Sequence, residues 1–367
     1  MKISSIEPIA VRLPMSQPIK MAGLELHVAD NVLVRVETTH GAVGWGEAAS
    51  APSMTGEFVE GIVAAVRYLA PSLLARPIDS IERALAGMDA RLYGNSSAKA
   101  AMEMALHDAL GRSRGVPVYE LLGGCRRTRI PVLRMLGGGD SERDCADAVR
   151  FTAEGFVAWK IKVGVNDPDD DAERTRKICR VLGRGHLISA DANQGWSVEQ
   201  ALRYLRGVED SGLDFLEQPV EGSDLDGMAR IARTTRIGIG ADEGLHGLND
   251  IRRHHDKGAI RGGSLKTIKL GGLLRVMEAA KLCSTLGLEV NLACKIAESS
   301  IASAAVLHLA AAVPSVNWGV SLSSQYLAQD VVREPCVIAR GYASVDSRAG
   351  LGVDVDEASV RRFAVKV

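Results

Sequence analysis

The chain opens on interleaved polar and apolar residues. "MKISSIEPIAVRLP" has the pattern of an edge strand with one buried face, and it lacks the unbroken apolar stretch of a signal peptide. "NVLVRVETTHGAVGWGEA" predicts a hairpin whose two strands meet at a Thr-His-Gly turn. Gly41, Gly44 and Gly46 lack the GxGxxG spacing of a phosphate loop, so hairpin turn chemistry is their expected role. Between residues 55 and 122 the period becomes helical. In "SSAKAAMEMALHDALGRSRG", for instance, Ala101, Met104, Ala105 and Ala109 share one face. "YELLGG" closes this region with a glycine pair, which puts a domain boundary near residue 125.

Beyond that boundary short apolar runs alternate with longer amphipathic ones. "IPVLRML", "VAWKIKV", "HLISAD", "LDFLEQP", "IGIGAD", "SLKTIKL" and "LEVNLAC" are each followed by a helical stretch such as "DDDAERTRKICRVL" or "SVEQALRYLRGVED". So many consecutive strand–helix units predict a parallel sheet closed into a (β/α) barrel over residues 126–327. Residues 328–367 leave the pattern and are expected to fold back on the first domain, residues 1–125. "IASAAVLHLAAAV" at 301–313 is interrupted by Ser303 and His308 and is too short for a bilayer span, so it reads as a buried helix.

Length and charge narrow the function. A chain of 367 residues exceeds one small core. Its 44 basic and 45 acidic residues nearly balance, which implies neither a nucleic-acid footprint nor a membrane anchor and leaves a small molecule as the expected partner. Six cysteines without CxxC spacing support neither a disulfide framework nor a zinc site and suit a reducing cytoplasm. His254 and His255, in the charged run "IRRHHDKG", read as a solvated helix face.

The chemistry lies in the charged residues at the ends of the apolar runs. Strand alternation puts Lys160 and Lys162 of "AWKIKVG" on one face, where two like charges are costly unless negative charge is near. Asp191, Glu217 and Asp242 end or directly follow three successive strands, 26 and then 25 residues apart, one βα repeat each time. On a barrel that is the catalytic rim, and neighbouring strands let the three carboxylates converge. Any one of them is an ordinary helix cap. Three in register favour a hard divalent cation, Mg²⁺ or Mn²⁺, held by oxygen ligands. Lys266 lies one further repeat on. Lysines flanking such a centre suit proton transfer at the carbon alpha to a carboxylate, with Lys160 depressing the pKa of Lys162 and meeting substrate oxygen.

Together Lys160-x-Lys162, "DANQGW", "EQP", "ADE", "KTIKLGG", "GWGEA" and the "GNSSAKAAMEMALHDALGRSRGVPVYELLGG" stretch resemble the enolase superfamily, in its muconate-lactonizing-enzyme subgroup. The resemblance implies a modified TIM barrel, (β/α)₇β, under an N-terminal α+β capping domain, in a homo-oligomer. By position it implies Asp191, Glu217 and Asp242 as Mg²⁺ ligands, Lys162 and Lys266 as the acid/base pair, and Lys160 as electrostatic helper. A Lys base working with Mg²⁺ is an established pattern of that superfamily. Asn193 and Glu243 would support the ligands, although turn or rim hydrogen bonds explain both equally well. Lys269 competes with Lys266, and the Lys-x-x-Lys-x-Gly-Gly spacing favours the first lysine.

Departures from the family pattern bear on substrate. Near the last strand "WGVSL" has Ser321 where muconate cycloisomerases carry an acid, and Val320, Ser321 and Leu322 lack the Asp-x-Asp of dipeptide epimerases. Trp318 is a candidate for stacking on a cationic ring nitrogen, against the alternative of barrel-end packing. Lys295 is a candidate for a second substrate carboxylate, against the preferred alternative of a surface lysine on the loop after its strand, and Lys20 and His27 are candidates for cap-loop contacts. The expected reaction is racemisation or epimerisation of an N-substituted or proline-type amino acid. Dehydration of a β-hydroxy acid, muconate-type cycloisomerisation and a non-catalytic metal-containing acid-binding barrel are the alternatives.

Overall fold

The computed structural model describes residues 2–21, 24–74, 77, 80–137 and 139–367, with the backbone alone for Lys20, Met21 and Leu24. Strands β1 (Ile3–Met21), β2 (Leu24–Thr38) and β3 (Val43–Ala49) form an antiparallel meander in the order β1-β2-β3. Against it pack helices α1 (Val59–Leu69) and α3 (Ser96–Arg114), with α2 (Ile81–Arg91) packed on α3, followed by the short α4 (Val118–Leu121). Gly41, with φ +82°, sits in the hairpin turn as expected. Gly44 and Gly46 do not: both lie within β3, where a Cβ would collide with the Ala105 and Ala101 carbonyls of α3. Their small size lets the sheet and α3 touch backbone to backbone.

The barrel strands are β5 (Leu133–Leu136), β6 (Ala158–Lys162), β7 (Leu187–Asp191), β8 (Phe215–Glu217), β9 (Gly238–Ala241), β10 (Gly262–Leu265), β11 (Glu289–Ala293) and β12 (Val320–Ser321), preceded by β4 (Arg129–Pro131). They pair in parallel in chain order, and a Val132–Val320 bridge brings β12 back to the start of β5. Between them run α5 (Ser141–Ala153), α6 (Pro168–Leu182), α7 (Val198–Val208), α8 (Leu225–Ala232), α9 (Leu248–Asp256), the single turn α10 (Thr267–Leu270), α11 (Leu273–Leu286) and α12 (Ser300–Ala312). Every residue of α12 is buried, as a helix apolar all round must be. Of the two histidines on α9, only His255 reaches solvent, and it is half-buried. His254 is 4 % exposed, with its ring against Gly244, so the expectation of a solvated pair holds for one histidine and fails for the other.

Beyond the barrel, β13 (Ile338–Ala339) and β14 (Tyr342–Ser344) form a small sheet with β4, and α13 (Glu357–Phe363) ends the chain's regular structure. Ala364 bridges to Val11 and Val365 N–H donates to the Ala10 carbonyl, so the last residues return to β1. One core runs from the barrel interior and its helices into the first sheet through Val11, Leu13, Leu33 and Trp45.

At the barrel floor Trp318 stacks on Phe215, ring centroids 4.0 Å apart and 4° from parallel, in space left by Gly238, Gly240 and Gly262. Trp318 therefore fills the barrel floor and is not among the residues lining the cavity at the rim. The residue precedes β12 and so sits at the amino end of its strand, away from the rim.

Candidate active site

Period-two alternation along the parallel strands brings the predicted charges to one end of the barrel. Lys160 and Lys162 face inward from β6, Asp191 from β7 and Glu217 from β8, while Asp242 and Lys266 directly follow β9 and β10. The strand register sets Lys162 beside Asp191 and Asp191 beside Glu217. In this eight-stranded ring β6 and β10 are four places apart, so Lys162 and Lys266 stand on opposite walls. Both line one cavity of about 140 Å³, together with Lys160, Asp191, Asn193 and Glu243. Lys269 does not line it. That side chain is sealed below, donating to the Asp242 and Ser264 carbonyls.

Each carboxylate is engaged by an ammonium. Lys162 Nζ donates to Asp191 Oδ2 at 2.7 Å and to Asn193 Oδ1 at 2.6 Å. Lys160 bonds Glu217 and stands 3.8 Å from Asp191 Oδ2. Asp242 takes Lys266 at 2.5 Å on Oδ2 and Lys269 at 2.6 Å on Oδ1. In this arrangement no group of three His, Cys, Asp or Glu side chains among the described residues is placed to hold a metal ion. The expected triad is gathered on one rim, but lysine nitrogens stand between its oxygens, as uncompensated buried carboxylates require.

The charge states follow from burial and these pairs. Burial works against the Asp242 and Asp191 charges, yet Lys266 and Lys269 hold Asp242, and Lys162 and Lys160 hold Asp191, below the ordinary carboxylate range. Burial pushes Glu217 up despite Lys160. Glu243 is pushed up to about 7, by burial first and then by repulsion from Asp242 and Asp191. For Lys266, burial is outweighed by Asp242, Glu243 and Glu217, which hold its pKa above the usual lysine value; Glu217 and Asp191 do the same for Lys160. The pKa of Lys160 is thus raised by its partners. Asn193 Nδ2 donates to Glu243 Oε1 at 3.1 Å, and Glu243 Oε2 is buried without a partner. In chemistry, though not in their present lysine-paired placement, these carboxylates are the all-oxygen donors that suit a hard divalent cation, and the Glu243 Oε2 oxygen has no partner.

Other candidates divide. Lys295 and Ser321 line the cavity. His27 is 65 % exposed and pairs with Glu25, and it is not part of the lining. The Lys20 side chain lies outside the described residues. Ser53 and Met54, in the loop after β3, and Tyr326, after β12, also line the cavity. No periodicity marks those three. Gln218 was legible in "EQP" but unassigned: its Oε1 accepts from Asp242 N–H at 2.9 Å and Gly244 N–H at 3.2 Å, tying β8 to the end of β9. Its φ of +35° is a strained conformation for a non-glycine residue, of the kind concentrated at functional sites.

Residues 5–123 match the model of the mandelate racemase / muconate lactonizing enzyme N-terminal domain, and residues 144–359 match the enolase C-terminal domain-like model. The chain belongs to the mandelate racemase / muconate lactonizing enzyme family. Within that family it is 30 % identical to a chloromuconate cycloisomerase of Cupriavidus necator, over 99 % of both chains. It is 34 % identical to an L-Ala-D/L-Glu epimerase of Clostridium acetobutylicum, over 82 % of this chain and 84 % of the other. The structure of an N-succinyl Arg/Lys racemase from Bacillus cereus superposes with a TM-score of 0.94 at 29 % identity, covering 100 % of this chain and 99 % of that one. Such relatives make this member of the muconate-lactonizing-enzyme subgroup an isomerase, which sets aside the non-catalytic barrel.

Proposed function

We propose that the enzyme removes the proton alpha to a substrate carboxylate and returns it on the opposite face, racemising or epimerising an N-substituted or proline-type amino acid. The observation that carries this reading is the placement of Lys162 and Lys266 on opposite walls of one cavity. Mg²⁺ or Mn²⁺ held by Asp191, Glu217 and Asp242 would supply the charge that stabilises the enediolate. Lys162 takes the proton from one face and Lys266 delivers one to the other, so that their roles exchange between enantiomers. Each amine acts as a base once its carboxylate partner is engaged elsewhere. Lys160, pinned beside Glu217 and Asp191, stays charged and faces substrate oxygen. Asn193 and Glu243 steady Lys162 and the rim. Six unpaired cysteines suit a reducing cytoplasm for this chemistry.

No acid stands at Val320, Ser321 or Leu322 to meet a substrate ammonium, which supports an N-substituted substrate over a free-amine dipeptide. Cycloisomerisation of an unsaturated diacid is the second reading, favoured by the full-length similarity to chloromuconate cycloisomerases. Incubating N-acylated and cyclic amino acids with enzyme and Mg²⁺ in D₂O tests the first reading. Alpha-carbon deuterium is expected, with Lys162→Ala and Lys266→Ala each losing exchange for opposite enantiomers by about 10²-fold or more. Absence of label across a broad panel of acids sinks the reading.

A further inference from the structure

Lys295 follows β11, is 7 % exposed and lines the catalytic cavity. Lys160, Lys162, Lys266 and Lys269 each pair with Asp191, Glu217 or Asp242. For the Lys295 ammonium there is no ion pair or hydrogen-bond partner among the described residues. Glu298, the nearest acid in sequence, is turned to the backbone: Oε2 accepts Lys295 N–H at 2.8 Å and Oε1 accepts Ala49 N–H at 3.4 Å. Beside it on β12, Ser321 pairs in register with Ala293, and its buried Oγ has no partner either.

The buried Ser321 hydroxyl without a partner is costly to the free enzyme unless a ligand meets it, and the Lys295 ammonium lines the same cavity. The turn that carries Lys295 is also held rigidly. Ala297 is in the left-handed region at φ +78°, its carbonyl accepting from Asn31 Nδ2 at 2.9 Å, and Ser299 Oγ donates to Glu47 at 2.6 Å. Such fixed donors lower the cost of ordering a ligand.

We propose that Lys295 and Ser321 form an anion-docking subsite, and that the substrate therefore carries a second carboxylate remote from the reacting carbon. This inference rests on the cavity being the substrate site of the proposed reaction. Lys295 Nζ and the Ser321 hydroxyl both donate to that carboxylate. An amino acid whose N-acyl arm ends in a carboxylate and a linear unsaturated diacid share this chemistry.

Calorimetric titration of the full chain with Mg²⁺ tests it, using N-succinylglycine, the neutral-ended N-butanoylglycine and cis,cis-muconate. N-succinylglycine or muconate is expected to bind about tenfold or more tighter than N-butanoylglycine, as a charge-assisted hydrogen bond supplies. Which diacid shows the gap identifies the source. Lys295→Met should erase it, Ser321→Ala should narrow it and Lys295→Arg should keep part of it. If Lys295→Met does not fold, the other two variants decide. Equal binding of charged and neutral probes, no binding of either diacid, or a gap indifferent to these substitutions overturns the subsite. Deuterium exchange into N-succinylalanine and N-butanoylalanine separates the two claims. Equal exchange in both leaves the proton chemistry standing without the subsite, while discrimination in binding without exchange in any acid does the reverse.

Discussion

Trp318 shows how a single position decides between two roles that composition cannot distinguish. The aromatic ring lies at the amino end of β12, stacked on Phe215, while Ser321, three residues on, reaches the rim. Trp318→Ala should therefore cost about 3–5 kcal/mol in urea unfolding, the price of emptying a close-packed floor, and leave substrate KM unchanged in the folded fraction. A raised KM with unaltered stability would instead put the indole in contact with substrate. Burial speaks similarly through two acids. Glu298 is pushed up to about 8, by burial and then by Glu47; Glu47 is pushed up to about 7 by burial, against its hydrogen bonds from Ser299. Between the ordinary carboxylate range and those values the folded chain binds protons that the unfolded chain has released. Stability contributed by these groups is present at low pH, falls as pH rises through that window and levels off above about 8. The thermal midpoint of Glu298→Gln should fall less between mildly acidic and mildly alkaline pH than that of the parent. Identical slopes would exclude Glu298 as a source.

Elements made of regular repeats were the most legible, and the joints between them the least. Lys160 and Lys162 could be placed on one face of β6 because alternation needs only two residues of context, and Asp191, Glu217 and Asp242 because one βα repeat sets their spacing. The seam between the first sheet and α12 left no such trace. There Glu47, from β3, accepts from Asn31 Nδ2 at 2.8 Å, Ser299 N–H at 2.9 Å and Ala302 N–H at 3.2 Å, capping a helix more than 250 residues away in the chain. "GWGEA" was visible as a motif, but the partners of its acid depend on tertiary contact. Glu47→Ala should cost about 1–3 kcal/mol for each donor left unpaired in the core, read by chemical denaturation. A loss below about 1 kcal/mol would mean that other groups satisfy the start of α12. Gly44 and Gly46 carry the same lesson, since their use is contact with α3 and not the turn that their spacing suggested.

At the scale of the whole molecule the barrel gathers charge that each strand alone could not keep buried. Asp191, Glu217 and Asp242 arrive on three different strands, 1–2 % exposed, and lysines from β6 and from the segment after β10 balance them. Spacing put the three carboxylates on one rim, where the structure has them, while the lysines placed between them show why spacing alone did not describe their partners. A divalent cation bound by all three would tie β7, β8 and β9 together in the native state only, because the unfolded chain has no such cluster. Mass action then requires the folded state to gain RT ln(1 + [L]/Kd), about 2.7 kcal/mol at a hundredfold excess over Kd. The thermal midpoint of chelator-treated protein should rise with added Mg²⁺ or Mn²⁺, and α-proton exchange should return over the same concentration range. In Asp242→Asn, where the charge is lost but the side-chain size kept, the rise should shrink sharply. Lys266 and Lys269 would be left in that variant with a neutral amide in place of their shared carboxylate, so its midpoint without metal should also drop. A midpoint indifferent to Mg²⁺ and Mn²⁺ at every concentration, with exchange undiminished after chelation, would show that the lysine–carboxylate network is itself the working state of the site.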